Sequence, residues 1–190
     1  MTKAKRPALR SALWLSLLGA IAVSVCCSRR PSTSPGQSIN RTDVLTGRVV
    51  RIADGDTITL LDSSNTQHRI RLQGIDAPES HQDFGVQSKK SLSDMIFDRE
   101  VTAACDKTDQ YGRQVCKIVF DGKDINLEQV KAGMAWHYKE YEREQSQTDQ
   151  QLYARAEDEA RNARRGLWAD ANPIEPSEFR REEKRERQAR

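Results

Sequence analysis

The sequence predicts an α+β fold, mainly β, in which five short strands and three helices make one domain. Three observations lead to this prediction. Between residues 45 and 120, runs rich in β-branched and aliphatic residues alternate with short polar turns, which is the pattern of short strands. One segment inside this region and two after it have the residue pattern or composition of helices. The last two helical segments stop at Gly133 and Gly166, and glycine commonly follows the end of a helix.

The first four elements are three strands followed by one helix. Strands are predicted at Leu45–Ala53, Thr57–Leu61 and His68–Ile75, and an Asp-Gly pair at positions 54 and 55 signals a hairpin between the first two. A helix is predicted at Phe84–Phe97 from the spacing of its apolar residues, which are Val86, Leu92, Met95 and Ile96.

The remaining elements complete the domain. Strands at Glu100–Cys105 and Gln114–Phe120 flank a polar loop, and helices follow at Asp124–Gly133 and Gln147–Arg165. This order of strands and helices suits a small closed barrel of the oligonucleotide-binding (OB) type. Because consecutive antiparallel strands also fit an open α+β sheet, the pattern leaves both architectures open, and neither one defines a function.

Residues 1–26 have the pattern of a secretory signal. Positive residues precede a nearly unbroken apolar run at Ser11–Val25, which is short for a membrane span, although an uncleaved anchor is the alternative. Positions 20–22 (Ala-Ile-Ala) suit an ordinary signal peptidase, whereas the residues up to Cys26 and the adjacent Cys27 resemble a bacterial lipoprotein box. Residues 27–43, rich in Ser, Pro and Arg, are predicted to be a flexible linker. We therefore expect an exported protein of the cell envelope or periplasm, either lipid-anchored at the membrane or secreted.

The charge balance limits where an anion could bind. The chain has 31 Lys and Arg against 28 Asp and Glu, a net charge of +3, and four of the basic residues lie in the signal segment, so its removal takes the net charge to −1. Bulk charge therefore gives no support for nucleic-acid binding, and any anion site must be local. The charged tail, residues 171–190, holds the one basic concentration, at Phe179–Arg190. A solvated or frayed helix is favoured there over a nucleic-acid arm.

Three short stretches carry candidate chemistry. Asp56 follows the first hairpin turn, Asp76 ends the third strand, and Glu79 comes directly after a proline that bends the chain. Each carboxylate alone is typical of a turn, but together they are hard oxygen groups suited to calcium. Arg71 and Arg113 carry forked donors that match phosphate oxygens.

These residue types meet the needs of phosphodiester hydrolysis. The reaction requires a cation at the non-bridging oxygens, an oriented water and stabilisation of the leaving oxygen. Glu79 is the candidate base. The three histidines lack zinc-ligand spacing, and no serine or cysteine lies in a nucleophile signature.

The motifs as a set resemble the staphylococcal nuclease family. They are Asp-Gly-Asp-Thr at 54–57, Arg-x4-Asp-x-Pro-Glu at 71–79 and Tyr-Gly-Arg at 111–113, in the family's order. The resemblance covers about Val44 to Trp168 and implies a nuclease domain at 44–170 with a five-stranded OB barrel and three helices. It also implies that Asp56 and Asp76 bind calcium through their side chains, that Ala77 does so through its carbonyl, and that Asp54 supports these ligands.

The function that the resemblance implies is a calcium-dependent endonuclease, acting as a monomer, that hydrolyses DNA and RNA to 3′-phosphorylated products. Arg71 and Arg113 would bind the phosphate, Glu79 would act as the general base, and Tyr111 would lie beside the nucleotide. The alternative is a non-catalytic OB-fold module that binds nucleic acid. Such modules usually lose the arginines or carboxylates, and this chain keeps all five, which favours an enzyme.

Two cysteines flank the predicted hairpin. Cys105 and Cys116 are symmetric about residues 110 and 111. An even loop without a bulge would place them directly opposite each other, within disulfide reach, and an oxidising compartment would permit the bond. The alternative is a pair of reduced strand cysteines.

Overall fold

The computed structural model describes residues 43–190, so the predicted signal, most of the linker, Cys26 and Cys27 lie outside the described residues. In chain order the strands are β1 (Asp43–Ile52), β2 (Thr57–Asp62), β3 (Gln67–Leu72), β4 (Ile75–Asp76), β5 (Glu100–Thr108), β6 (Gln114–Phe120), β7 (Lys123–Asp124) and β8 (Trp136–His137). The α-helices are α1 (Gly85–Ile96), α2 (Ile125–Lys131), α3 (Gln147–Asn162) and α4 (Pro176–Ala189). Two 3-10 helices occupy Lys139–Glu144 and Gly166–Ala169.

The five long strands close into a barrel. β1 pairs antiparallel with β2 and β5, β2 pairs with β3, and β5 pairs with β6. A parallel pairing of β3 with β6, running from Ile70↔Gln114 to Leu72↔Cys116, completes the ring. This closure confirms the α+β fold with a five-stranded OB barrel and decides against the open sheet.

Alternate strand residues fill the interior of the barrel. Ile58, Leu60 and Ile70 are fully buried, and Leu92 and Ile96 of α1 pack into the same core. Burying an aliphatic side chain of this size stabilises a fold by about 1.5–3 kcal/mol. The core therefore holds rigid the strands that position the functional residues.

A buried asparagine determines where β3 ends. Asn126 of α2 has no exposed surface, and its Nδ2 donates to the carbonyls of Gln73 at 3.0 Å and Cys116 at 3.1 Å. Gly74 follows with φ of 74°, a left-handed conformation that glycine adopts without strain. The chain turns there into β4, which places Asp76 beside the end of β3.

The β5–β6 hairpin brings the two strand cysteines together. Cys105 lies opposite Cys116, and a disulfide joins them. The turn differs from the predicted even loop, because the N–H of Asp109 donates to the carbonyl of Arg113 around residues 110–112. The register also shifts by one residue between positions 105 and 107. The odd loop and the bulge offset each other, so the cysteines face each other for a different reason from the one predicted.

We expect two thiols of the purified mature chain to appear only after reduction. Thiol titration of the denatured protein, before and after reductant, measures this change. The double variant Cys105→Ser/Cys116→Ser is the control and should gain none. Because the bond closes a loop of sequence separation 11, the same variant should lose about 3 kcal/mol of unfolding free energy. An unchanged thiol count in the wild type would contradict the bond.

The charged tail forms a fourth helix, beyond the three predicted. In α4 only Pro176, at the start of the helix, is buried. Across residues 43–190, none of the helices combines the length and apolar character needed to cross a bilayer.

Candidate active site

A cleft of about 890 Å³ lies where the ends of β3 and β4 meet the β5–β6 hairpin. All the site residues predicted from the sequence line this cleft: Asp54, Asp56, Arg71, Asp76, Ala77, Glu79, Tyr111 and Arg113. They come from three separate stretches of chain. The β2–β3 hairpin joins the first two stretches, and the β3–β6 pairing that closes the barrel brings the third beside them.

Arg71 bridges two carboxylates at the base of the cleft. It lies on β3 with a side chain that is 12% exposed, and its Nη1 is 2.6 Å from Oδ2 of Asp56. Its Nη2 donates to Oδ1 of Asp76 at 2.8 Å. Burial lowers the pKa of Arg71, but the charges of Asp56 and Asp76 raise it, and their combined effect is larger, so the net shift is upward. The guanidinium therefore stays charged between the two acids.

Asp56 is held in place by the backbone around it. Its Oδ2 accepts from the N–H of Ala77 at 2.7 Å, and its own N–H donates to Oδ1 of Asp54 at 3.0 Å. Burial raises the pKa of Asp56 to about 8; the neighbouring carboxylates add to this rise, while the nearest guanidinium opposes it. Positive charge beside Asp56 favours its ionised form, and the guanidinium of Arg71 supplies such a charge.

A third arginine, from α4, enters the same cleft. Nη1 of Arg180 donates to Oε1 of Glu79 at 2.8 Å and to Oδ1 of Asp76 at 3.2 Å, while Nη2 donates to Oδ2 of Asp76 at 2.9 Å. Burial lowers the pKa of Arg180, but its bonds to Asp76 and Glu79 raise it overall. This residue was not among the site residues predicted from the sequence. The one signal was Phe179, a single aromatic residue in a charged tail.

The hairpin tip presents Arg113 and Tyr111 to the cleft. Asp109 organises the tip, because its Oδ1 accepts from the N–H groups of Tyr111 and Arg113, each at 2.9 Å. Its Oδ2 accepts from Nε of Arg113 at 2.7 Å. The guanidinium of Arg113 lies 5.3 Å from the ring centroid of Tyr111, whose side chain is largely exposed. The tip therefore holds a cation and an aromatic face side by side.

Two more tyrosines line the cleft. Tyr138 and Tyr141 have ring centroids 4.9 Å apart, and Nζ of Lys107 lies 5.3 Å from the ring of Tyr141. Burial raises the pKa of Tyr138 to about 12, and nearby Asp76 and Glu140 add to the rise. Neither tyrosine was assigned a role from the sequence, because the resemblance to the family is poor after Ala135.

The carboxylates do not converge on one point. Among residues 43–190, no group of three or more acidic, histidine or cysteine side chains is arranged to hold a metal ion. Arg71 lies between Asp56 and Asp76, and Arg180 lies between Asp76 and Glu79. The donors are still hard oxygens, and each guanidinium shows that two carboxylates can share one cation. The residues therefore fit a hard metal ion if a guanidinium gives way.

Comparisons with known proteins agree with this geometry. Residues 69–170 match a family model described as staphylococcal nuclease homologue. An "uncharacterized endonuclease" of Haemophilus influenzae is 42% identical over 175 residues, which are 92% of this chain and 88% of that protein. A micrococcal nuclease of Shigella flexneri is 42% identical over 147 residues, which are 73% of this chain and 82% of that protein. A probable staphylococcal-like nuclease of Oryza sativa subsp. japonica is 38% identical over 122 residues, which are 64% of this chain and 32% of that protein.

An OB barrel with acids and arginines in one cleft, together with these relatives, defines a hydrolytic nuclease whose substrate is nucleic acid. The chain belongs to the staphylococcal nuclease family.

Proposed function

We propose that this protein is a calcium-dependent endonuclease that hydrolyses phosphodiester bonds of DNA and RNA and releases 3′-phosphorylated products. The observation that carries the proposal is the pairing of Asp56 and Asp76 around one buried cation, in a cleft that Glu79 and Arg113 also line. Paired acids and forked donors in one cleft are what hydrolysis of a phosphodiester requires.

The acids would hold the metal ion. In this proposal the side chains of Asp56 and Asp76 and the carbonyl of Ala77 would bind calcium, whose charge would offset that of the phosphate. The backbone bond from Ala77 to Asp56 keeps these donors adjacent. A divalent cation at this position would favour the ionised form of Asp56, whose burial raises its pKa.

The other residues would act directly on the substrate. Arg71 and Arg113 donate forked hydrogen bonds to the non-bridging oxygens, and Glu79 orients the attacking water or removes its proton. The water attacks in line, the bond from phosphorus to the 5′ oxygen breaks, and the phosphate stays on the 3′ oxygen. Arg113 stabilises the charge that grows as the 5′ oxygen leaves. Tyr111 offers a face on which a base can stack.

We expect the wild type to be inactive on single-stranded DNA in excess chelator and to regain activity with added calcium. Asp76→Ala should raise the calcium concentration needed for half-maximal activity by at least about 10- to 100-fold, the range for losing even an outer partner of a metal ligand. Asp158→Ala, which removes an exposed carboxylate from α3, is the matched control and should leave the calcium requirement unchanged. Full wild-type activity in excess chelator would overturn the calcium requirement.

We also propose that the protein is exported as a monomer and attached to the membrane by a lipid at Cys26 or Cys27, with secretion as the alternative. The support is the signal-like segment 1–26 and the linker at 27–43, which would let an anchored nuclease domain reach substrate.

Metabolic labelling with a fatty-acid analogue is expected to mark the wild-type protein. The label should disappear in the double variant Cys26→Ser/Cys27→Ser, because the acceptor thiols are gone. Cys105→Ser is the control and should keep the label. An unlabelled wild type with a mature start near Val23 would indicate simple secretion instead.

A further inference from the structure

Helix α4 docks on the segment that carries the catalytic acids. Nε2 of Gln82 donates to the carbonyl of Ile174 at 2.7 Å, and the ring of Phe179 lies 5.2 Å from that of His81. Nε2 of His81 is 2.8 Å from Oε1 of Glu183. All three contacts join the tail to the loop between β4 and α1, which begins directly after Asp76.

In this docked position, the side chain of Arg180 contacts Asp76 and Glu79. Arg180 forms a fork on both oxygens of Asp76 and shares one nitrogen with Glu79. Oδ1 of Asp76 also accepts from Arg71. With Arg180 donating to Oδ2, both oxygens of that carboxylate are hydrogen-bonded to a guanidinium. Arg180 also donates to one oxygen of Glu79, the residue proposed to act on the water.

We propose that α4 is a built-in inhibitor: Arg180 competes with the metal ion for Asp76 and also occupies Glu79, the proposed base, and the ion must displace it before the nuclease can act. This inference rests on the calcium dependence proposed above. A guanidinium and a calcium ion held at the same carboxylate repel each other at this short distance. Binding of one therefore weakens binding of the other.

The contacts that hold α4 at the cleft are weak enough for a metal ion to displace the helix. Only Pro176 of α4 is buried, and the side chain of Arg180 is 39% exposed. Apart from the pairs of Arg180 itself, the tail is held by the more exposed His81–Glu183 pair, one aromatic contact and one hydrogen bond from Gln82, and exposed ion pairs contribute little to stability. The helix stays near the cleft because it is tethered to the same chain, which raises its effective concentration. Displacement of α4 therefore needs no unfolding of the barrel.

Competition of this kind is reciprocal. If docking of α4 weakens calcium binding by some factor, calcium weakens docking by the same factor. The tail thus sets a threshold calcium concentration, below which the carboxylates are occupied by Arg180 and the nuclease is off. An alternative role for Arg180, as a third ligand of the substrate phosphate, predicts a different result, since its loss would then weaken substrate binding and leave calcium affinity unchanged.

Calorimetric titration of calcium into the purified mature chain, without nucleic acid, tests the competition directly. Arg180→Ala should bind calcium about 5- to 150-fold more tightly than the wild type, the usual range of coupling between two sites. Phe179→Ala loosens the helix without touching the acids and should shift the affinity in the same direction by less. Arg181→Ala, exposed on the same helix, is the matched control and should match the wild type.

Hydrogen exchange supplies a second measurement. Calcium should speed amide exchange in residues 176–189 of the wild type and have little effect there in Arg180→Ala. Two results would overturn the inhibitory role of α4 while leaving the proposed function intact. One is equal calcium affinity in the wild type and Arg180→Ala, and the other is amide exchange in α4 that does not change when calcium is added. A higher KM for DNA in Arg180→Ala at saturating calcium, with unchanged calcium affinity, would overturn it in favour of a phosphate ligand. No calcium binding to either protein would overturn both proposals.

Discussion

Arg113→Lys is expected to lower kcat/KM on single-stranded DNA by about 100- to 1,000-fold, the loss typical of removing one donor to a developing oxyanion. The charge is preserved, so the effect would come from geometry. A guanidinium donates two parallel hydrogen bonds to a phosphate, whereas an ammonium group is a compact point charge. Asp109 anchors Nε of Arg113, which fixes the direction of the fork, and lysine has no equivalent of that nitrogen.

The matched control for this change is Arg51→Lys, on the exposed side of β1 and away from the cleft. It should keep the wild-type rate. Circular dichroism should show the same fold in both variants, because the hairpin tip lies outside the core. A rate near wild type for Arg113→Lys would mean that Arg113 only attracts the substrate and takes no part in stabilising the leaving oxygen.

Glu79→Gln is expected to lower kcat by about 100- to 10,000-fold, the contribution typical of general acid–base catalysis. The amide has nearly the same shape but cannot take a proton from water at neutral pH. The measurement should be made at saturating calcium, because the change also removes a charged partner of Arg180. The expected result is a large loss of kcat with a much smaller change in KM.

The control is Glu100→Gln, an exposed residue at the start of β5 that lies outside the cleft. It should leave both kcat and KM unchanged. Retention of near wild-type kcat in Glu79→Gln would remove Glu79 from the proposed mechanism.

Local patterns were enough to place the five long strands and the first three α-helices, although the predicted strand His68–Ile75 is divided in the structure into β3 and β4, where Gly74 turns the chain, and α4 was not among the three predicted helices. The predicted strand Thr57–Leu61 and the structural strand β2 differ by one residue at the end, and the predicted helix Phe84–Phe97 contains α1 entirely. Alternation and turn residues report on neighbours a few positions away, and those neighbours decide whether a segment is a strand or a helix. The same patterns could not distinguish a barrel from an open sheet, because the deciding pairing joins β3 to β6.

In the β5–β6 hairpin the predicted pairing of the two cysteines is correct, but the predicted turn is wrong. Counting residues placed Cys105 opposite Cys116 on the assumption of an even loop. The structure has an odd loop centred on Tyr111 and a bulge near position 106, and the two displacements cancel. Turn type depends on hydrogen bonds such as those of Asp109, which residue spacing does not reveal.

By itself, the sequence determined the element order, the inventory of acids and arginines, and the family they resemble, because these depend on local spacing and on the chemistry of single side chains. Only the tertiary structure decided how those groups meet. It closed the barrel, placed Arg71 between two carboxylates, and brought Arg180 onto Asp76 across 104 positions of chain. A contact at that separation leaves no periodic trace in the sequence. It exists because a weakly held helix can satisfy paired negative charges that the barrel has already gathered at one edge.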